Sequence, residues 1–231
     1  MIVQIYTFVR VEDALAAVES GVDHIGFVAG KYGLVYGELD FDEARHLSDA
    51  LPETARASAL TMSTDVEEIL RMAHAVSPDI IHISTELEEV GLEAMKELRD
   101  RLPPDIGLMK AIPVEDEHSI EVAVRFAGVC DILLLDTKVH GFPGVGATGQ
   151  IHDWKISRQI VLEAPVPVIL AGGLNPENVA AAIEAVRPWG VDSNTATNLA
   201  GDPVAKDLKR VAEFAKAARR AGRLYGEDIY K

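Results

Sequence analysis

The chain has 231 residues, and 48% of them are apolar, which suffices for a buried core and excludes an intrinsically disordered protein. The 22 Lys and Arg residues against 37 Asp and Glu give a formal net charge of −15 without a basic stripe, so we expect no nucleic-acid partner and no membrane surface. One cysteine, no apolar run of membrane-spanning length and no signal-peptide pattern predict a cytoplasmic protein.

Short apolar runs alternate with amphipathic stretches eight times along the chain. Apolar runs of about five to seven residues between turn signals are typical of strands buried on both faces, and the amphipathic stretches are typical of helices packed outside them. The predicted strands span 2–8, 24–29, 55–62, 79–84, 106–112, 131–136, 166–173 and 190–195, and the helices that follow span 11–20, 41–51, 65–76, 90–102, 116–128, 153–163, 176–186 and 204–221.

Eight consecutive βα units predict an α/β protein with a single (β/α)8 TIM barrel over residues 1–231. The alternative is a doubly wound open sheet, but the first strand continues into TFVRVEDA and not into a GxGxxG turn. We expect residues 219–231 to form a C-terminal tail that lies on the surface or contacts another subunit, in a monomer or homodimer.

In such a barrel, the residues that end each strand surround the catalytic mouth. This rule places Tyr6, His82, Lys110 and Asp136 at the mouth, together with the segment AGKYGLVYGELD (29–40), which contains Lys31. Cys130 begins a strand instead, so we expect it to be a core residue at the opposite end and not a nucleophile.

The segment AGGLNPENV (171–179) indicates a phosphate site. Gly172 and Gly173 allow close approach to the backbone, and Asn175 can cap a helix that begins at Pro176 and leaves N–H groups free. The alternative is an ordinary capped turn, but the loops after the last two strands of a barrel frequently bind phosphate. We therefore predict a small phosphorylated substrate.

Asp136 follows an apolar strand directly and precedes a glycine-rich loop, in LLLDTKVHGFPGVGATGQIHDW (133–154). Burial raises the pKa of such a carboxyl towards the range useful for a general acid, although Asp136 could equally cap its own loop. Lys110 could form a Schiff base or neutralise an anion. The histidines near the mouth lack metal-binding spacing, so we predict no metal site.

Several of these motifs, in chain order, resemble phosphoribosylanthranilate isomerase of tryptophan biosynthesis: VRVEDALAAVESGVDHIGFV (9–28), LLLDT, the loop ending in TGQIHDW, PVPVILAGGLNPENVAAAI, WGVDS and KDLKRVAEF. The resemblance implies a (β/α)8 barrel that catalyses an Amadori rearrangement without a cofactor, in which an N-linked aldose phosphate opens and isomerises to a 1-amino-1-deoxyketose. It implies that Asp136 protonates the ring oxygen, that Gly172 and Gly173 contact phosphate, and that the loop containing Gly146 wraps the substrate.

Departures from the family pattern fall mainly on the amine side of that site. The family's base is a cysteine in Lys-Ile-Cys-Gly, where this chain has Gln4-Ile5-Tyr6-Thr7, and its Gln-Leu-His-Gly appears as His82-Ile83-Ser84-Thr85. The arginine that meets the anthranilate carboxylate aligns with Val35, which leaves Lys31 as the only cation of that segment.

The family's Ser-Ser-Gly phosphate turn reads Asn194, Thr195 and Ala196 here, which retains hydroxyl, amide and backbone donors.

Three hypotheses about function follow from these observations. The chain is an aldose–ketose isomerase of this family that acts on a related substrate, with Tyr6 or His82 as the replacement base. Alternatively it is a paralogue that uses Lys110 or His82 for aldol or enolisation chemistry, or a non-catalytic barrel that binds a phosphometabolite.

Overall fold

A computed structural model describes residues 1–137 and 152–225 of the chain. Strands and helices alternate as predicted. The strands are β1 (Ile2–Ile5), β2 (His24–Ala29), β3 (Glu38–Leu39), β4 (Arg56–Thr61), β5 (Ile80–Ile83), β6 (Gly107–Pro113), β7 (Ile132–Asp136), β8 (Val168–Leu170) and β9 (Gly190–Ser193). The helices are α1 (Val11–Glu19), α2 (Phe41–Asp49), α3 (Val66–Val76), α4 (Leu92–Arg101), α5 (His118–Ala127), α6 (Trp154–Glu163), α7 (Val179–Val186) and α8 (Leu208–Tyr225).

The sheet closes into a barrel of eight parallel strands. The strand order is β1-β9-β8-β7-β6-β5-β4-β2, and β1 pairs with β2 to complete the ring. The two-residue strand β3 pairs with the carboxyl end of β2. The predicted TIM barrel is therefore confirmed, and all strand ends that carry the candidate residues lie at one mouth.

Alternation along the strands divides the apolar residues into two layers. One large cluster lies between the sheet and the helices and includes, for example, Val3, Ile5, Ile81, Leu133 and Val191. A smaller cluster fills the inside of the barrel and consists of Ile80, Met109, Ala111, Ile132, Leu134, Ile169 and Ala171, with Trp189 packed against it. The inner position of any strand residue can therefore be read from its parity.

Register places two carboxyl groups at paired inner positions near the mouth of the barrel. Leu135 pairs with Leu170, and Leu170 pairs with Val191. Because the inner cluster contains Leu134 and Ile169, the next inner positions towards the mouth are Asp136, Ala171 and Asp192. Asp136 and Asp192 thus lie on strands separated only by β8, with the small side chain of Ala171 between them.

The ends of two strands and of the last helix differ from the prediction. Strands β1 and β8 stop at Ile5 and Leu170, several residues short of their predicted ends. Helix α8 continues through Tyr225, so residues 219–225 belong to the barrel and not to the predicted tail. Two contacts hold this part of the helix: Arg219 donates a hydrogen bond to Asp23 at 2.5 Å, and Gly222 packs against Met1. None of the helices in the described ranges is long and apolar enough to cross a membrane.

Candidate active site

Asp136 is a buried carboxyl group at the carboxyl end of β7. Its side chain is 8% exposed, and its Oδ1 accepts a hydrogen bond from the backbone N–H of Thr137 at 2.7 Å. Burial raises the pKa of Asp136 to about 7, against the effect of that hydrogen bond. A proton can therefore reside on Asp136 at neutral pH, which the general-acid role requires.

Asp192, on the inner face of β9, is a second buried carboxyl group that sequence reasoning missed. Burial, and then the negative charge of Asp136, raise the pKa of Asp192 to about 8. Its Oδ1 atom is buried without a hydrogen-bond partner among the described residues. An acidic residue at an inner position of a buried strand, in GVDS, was the available signal.

Tyr6, Ser58 and His82 form a hydrogen-bonded cluster inside the barrel. The Tyr6 hydroxyl lies 2.6 Å from Ser58 Oγ and 3.1 Å from His82 Nδ1. The Tyr6 ring packs on Gly26 so closely that a Cβ there would lie 2.3 Å from the ring. The structure thus brings together Tyr6 and His82, the two residues predicted as alternative bases.

Neither residue of this pair is well suited to accept a proton from carbon. Burial raises the pKa of Tyr6 well above 10, so the phenol keeps its proton at neutral pH. Burial lowers the pKa of His82 to about 3, so the imidazole is neutral but weakly basic. The Nε2 atom of His82 has no partner among the described residues and remains available to a bound molecule.

Lys206 connects the end of β1 to the turn after β9. Its ammonium group donates to the carbonyl oxygen of Tyr6, to the carbonyl oxygen of Asn194 at 3.2 Å, and to the side chain of Asn198. It is 6% exposed, and no carboxylate of the described residues lies within 4 Å of it. Burial lowers the pKa of this amine to about 7. In the sequence, a lysine in a loop is the only indication of this buried group.

Two neighbouring loops at the mouth present unpaired backbone donors. In the described part of the chain, the N–H groups of Gly172 and Gly173 have no acceptor, and the same holds for Thr195 and Ala196. Gly172 and Gly173 adopt φ values of +84° and +64°, which favour glycine. Residues Thr195–Thr197 form a short 3-10 helix, whose first N–H groups are free because no turn precedes them.

The capped turn after Gly173 differs from the prediction. Helix α7 begins at Val179, and the side chain of Asn175 accepts hydrogen bonds from the N–H groups of Glu177 and Asn178 at 2.9 and 2.8 Å. These donors are therefore used within the turn and are not free for an anion. The available donors come instead from the glycine pair and from the turn after β9.

His152 supports the strand end that carries Asp136. Its Nδ1 lies 3.1 Å from Thr137 Oγ1, and its Nε2 lies 2.7 Å from Ser157 Oγ in α6. Thr137 Oγ1 and His152 Nδ1 also pack against Gly172, where an added Cβ would lie 2.6 Å and 2.9 Å from these two atoms. The end of β7, the start of α6 and the glycine pair are thus packed as one unit.

The structure places Lys110 away from the predicted position. Met109 and Ala111 occupy the inside of the barrel, so Lys110 points into the layer between sheet and helices, where it is 0% exposed and donates to the carbonyl oxygen of Thr85 at 2.6 Å. A substrate at the mouth cannot reach this amine, which removes the basis for Schiff-base chemistry there. Position near a strand end predicts the mouth for Lys110, but its place between the inner residues Met109 and Ala111 turns the side chain outwards.

Lys31 lies on the loop after β2 with its charge already paired. Its Nζ is 2.8 Å from Glu43 and 3.2 Å from Asp40, which forms the capping box of α2 with Glu43. Because its charge is already paired, Lys31 does not fit the predicted role of a cation that binds the substrate. Gly146, also predicted to contact substrate, lies outside the described residues.

Cys130 lies at the amino end of the barrel, as predicted. Its Sγ lies 3.0 Å from the carbonyl oxygen of Phe126, and burial raises the pKa of the thiol to about 12. The thiol is therefore unreactive near neutral pH. Over residues 1–137 and 152–225, no three His, Cys, Asp or Glu side chains lie together as metal ligands would.

Comparison with known proteins identifies the family of this chain. Residues 4–217 match the family model described as N-(5'phosphoribosyl)anthranilate (PRA) isomerase. N-(5'-phosphoribosyl)anthranilate isomerase 1 of Methanosarcina mazei is 33% identical over 218 residues, which cover 91% of each chain.

Solved structures show the same likeness. The crystal structure of phosphoribosyl anthranilate isomerase from Thermotoga maritima superposes with a TM-score of 0.77 at 29% identity and covers 95% of this chain and 100% of that one. A structure of phosphoribosyl anthranilate isomerase in complex with reduced 1-(o-carboxyphenylamino)-1-deoxyribulose 5-phosphate gives a TM-score of 0.75 at 28% identity, with the same coverage. This chain therefore belongs to the N-(5'-phosphoribosyl)anthranilate isomerase family.

Proposed function

We propose that this protein is an aldose–ketose isomerase of the Amadori type, with Asp136 as its general acid, and that it acts on an N-glycoside of a sugar phosphate related to phosphoribosylanthranilate. The single observation that carries the proposal is the placement of Asp136. It is buried on the inner face at the barrel mouth, is held by a backbone N–H, and has its pKa raised to about 7.

The first step uses the proton of Asp136. Transfer of that proton to the ring oxygen breaks the bond between this oxygen and C1, while the nitrogen lone pair forms a C=N bond to C1. The product is an open-chain iminium ion, and Asp136 becomes a carboxylate. A positioned acid of this kind typically accelerates a step about 10²–10⁴-fold.

The phosphate of the substrate would bind at the corner between the glycine pair and the turn after β9. Four N–H groups of these two loops, those of Gly172, Gly173, Thr195 and Ala196, have no acceptor in the described ranges. Lys206 lies beneath the same turn and contacts Asn194. Burial lowers the pKa of Lys206 to about 7, and a bound anion would favour its protonated form. Backbone donors beside this amine suit an anion in a protein of net charge −15.

The amine side of the site supports a substrate other than phosphoribosylanthranilate. Tyr6 fills the space above Gly26, and its phenol and the imidazole of His82 present neutral polar groups. The loop with Val35 offers only Lys31 as a cation, and that cation is paired with Glu43. A carboxylated aromatic amine would lose a charge-assisted contact worth about 1.5–3 kcal/mol.

The proposal is tested by comparing phosphoribosylanthranilate with phosphoribosyl derivatives of amines that lack the ring carboxylate. We expect kcat/KM for phosphoribosylanthranilate to be the lower value, and Tyr6→Cys combined with Val35→Arg to raise it. Efficient turnover of phosphoribosylanthranilate by the unmodified protein, near 10⁴ M⁻¹s⁻¹ and above every other amine, would contradict the proposed substrate difference.

A further inference from the structure

We infer that Asp192 is the general base that removes the C2 proton of the substrate, in place of the cysteine that this chain lacks. The inference rests on the proposed isomerase function and assigns its second step. It begins with position: Asp192 occupies the inner face of β9, in register with Asp136 across β8 and with only Ala171 between them. Two strand spacings separate the backbones by about 10 Å, and inward side chains converge across that gap.

The carboxyl group of Asp192 has an unused acceptor. The residue is 7% exposed, and Oδ1 has no hydrogen-bond partner within 3.5 Å among the described residues, although the amide of its register partner Gln4 lies close enough to lower the pKa of the carboxyl. A buried polar oxygen without a partner is costly and rare in folded proteins. An atom that accepts a proton from the bound substrate accounts for its retention at this position.

Charged and titratable groups approach Asp192 from each neighbouring element. Asp136 faces it from β7 and Tyr6 from β1, Lys206 lies near it from the segment before α8, and His24 of β2 contacts Gln4, the register partner of Asp192. Among these groups, Asp136 repels a second negative charge, whereas Lys206 favours one. The two carboxyls therefore lose their protons in two steps that belong to the pair and not to either residue, and between those steps, at about pH 7–8, the pair holds one proton that either carboxyl can carry.

A pair with one proton can supply both an acid and a base. After Asp136 has opened the ring, the carboxylate of Asp192 takes the C2 proton, and the C–H electrons form a C1=C2 bond. The C=N electrons return to nitrogen, which gives a neutral enaminol. Loss of the hydroxyl proton at C2 and protonation at C1 then yield the ketose, so no oxidant or cofactor is consumed. Two carboxyls with separate roles are a recurrent solution in enzymes.

Kinetics of Asp192→Asn with the best phosphoribosylamine of the panel test the assignment. We expect kcat to fall about 10²–10⁴-fold, while affinity for inorganic phosphate, measured by calorimetry, stays within about threefold. Asp192→Glu should restore part of the rate, because the carboxylate is retained. The control Asp105→Asn removes an exposed carboxylate at the other end of the barrel and should leave turnover unchanged.

The rival bases are tested with the same substrate. His82→Gln and Tyr6→Phe should each lose less kcat than Asp192→Asn, and only Asp192→Asn should remove the rising limb of the kcat pH profile. Turnover by Asp192→Asn within tenfold of the unmodified protein, or a greater loss in His82→Gln, would overturn the assignment and leave the isomerase function intact. No turnover of any phosphoribosylamine by the unmodified protein would instead overturn the proposed function and the assignment with it.

Discussion

At the scale of single residues, Asp136 shows how the end of a buried strand produces an acid. The apolar residues before it place the carboxyl inside the barrel, where burial raises its pKa to about 7, and the N–H of Thr137 fixes one oxygen at 2.7 Å. Strand β7 thus determines both where the carboxyl lies and, through burial, how readily it holds a proton.

Replacement of this carboxyl by an amide of the same shape separates the two properties. For Asp136→Asn we expect turnover to fall about 10²–10⁴-fold, with substrate affinity within about an order of magnitude, because the amide keeps the shape but cannot protonate the ring oxygen. Steady-state kinetics with separate kcat and KM values are the measurement. Unchanged kcat in this variant would remove Asp136 from the mechanism.

Single residues also show where sequence reasoning stops. Asp136 could be placed from the sequence because it follows an apolar strand and begins a glycine-rich loop. Lys110 was misplaced because its strand runs to Pro113, so the amine lies one residue out of phase with the inner face. Lys206 could not have been found, since its contacts with Tyr6 join residues 200 positions apart.

At the scale of elements, the turn after β8 packs tightly against the end of β7. Gly172 has a φ of +84° and faces Thr137 and His152, whereas Gly201 has a φ of +80° with nothing within 4 Å of a Cβ. The two glycines therefore share a backbone conformation that would be strained for alanine, but they differ in surroundings. A pair of alanine substitutions separates the two contributions.

We expect Gly201→Ala to lower the free energy of unfolding by about 1 kcal/mol, from backbone strain alone. Gly172→Ala should cost a further 1–3 kcal/mol, roughly the cost of overpacking, because its Cβ would lie 2.6 Å from Thr137 Oγ1. It should also weaken binding of inorganic phosphate. Urea denaturation and calorimetry measure both effects, and equal losses in the two variants would show that this turn is not packed as described.

Elements were predictable in kind and order but less so at their ends. The eight βα units follow from apolar runs and amphipathic periodicity, which depend on burial alone. The end of β8 at Leu170 and the start of α7 at Val179 depend on the side chain of Asn175, which organises the intervening turn. The sequence indicates that Asn175 is a good capping residue. It does not indicate that the Asn175 side chain accepts hydrogen bonds from the N–H groups predicted to bind phosphate.

At the scale of the whole molecule, buried titratable groups couple stability to pH with opposite signs. Burial lowers the pKa values of His24, His82 and His152 to about 4, 3 and 4, so between pH 6 and 5 the unfolded chain binds protons that the folded chain excludes. Asp136 and Asp192, with pKa values of about 7 and 8, keep protons in the folded chain that the unfolded chain has lost.

The net difference is about one proton more on the unfolded chain, so stability should fall by about 1.4 kcal/mol per unit as the pH drops from 6 to 5. In a variant with Asp136→Asn and Asp192→Asn, the opposing contribution is absent and the slope should be about three times steeper. Urea denaturation at several pH values in this range measures both slopes. The same slope in both proteins would show that these carboxyls are not protonated in the folded state.

The central claim is that this barrel isomerises an N-linked aldose phosphate with a proton from Asp136. The most direct measurement is ¹³C NMR of phosphoribosylamines labelled at C1 and incubated with the protein. The account predicts that, for at least one amine, the anomeric signal is replaced by that of a CH₂ group beside a ketone, and that Asp136→Asn largely abolishes this conversion. Persistence of the anomeric signal for every amine, or equal conversion by Asp136→Asn, would contradict it.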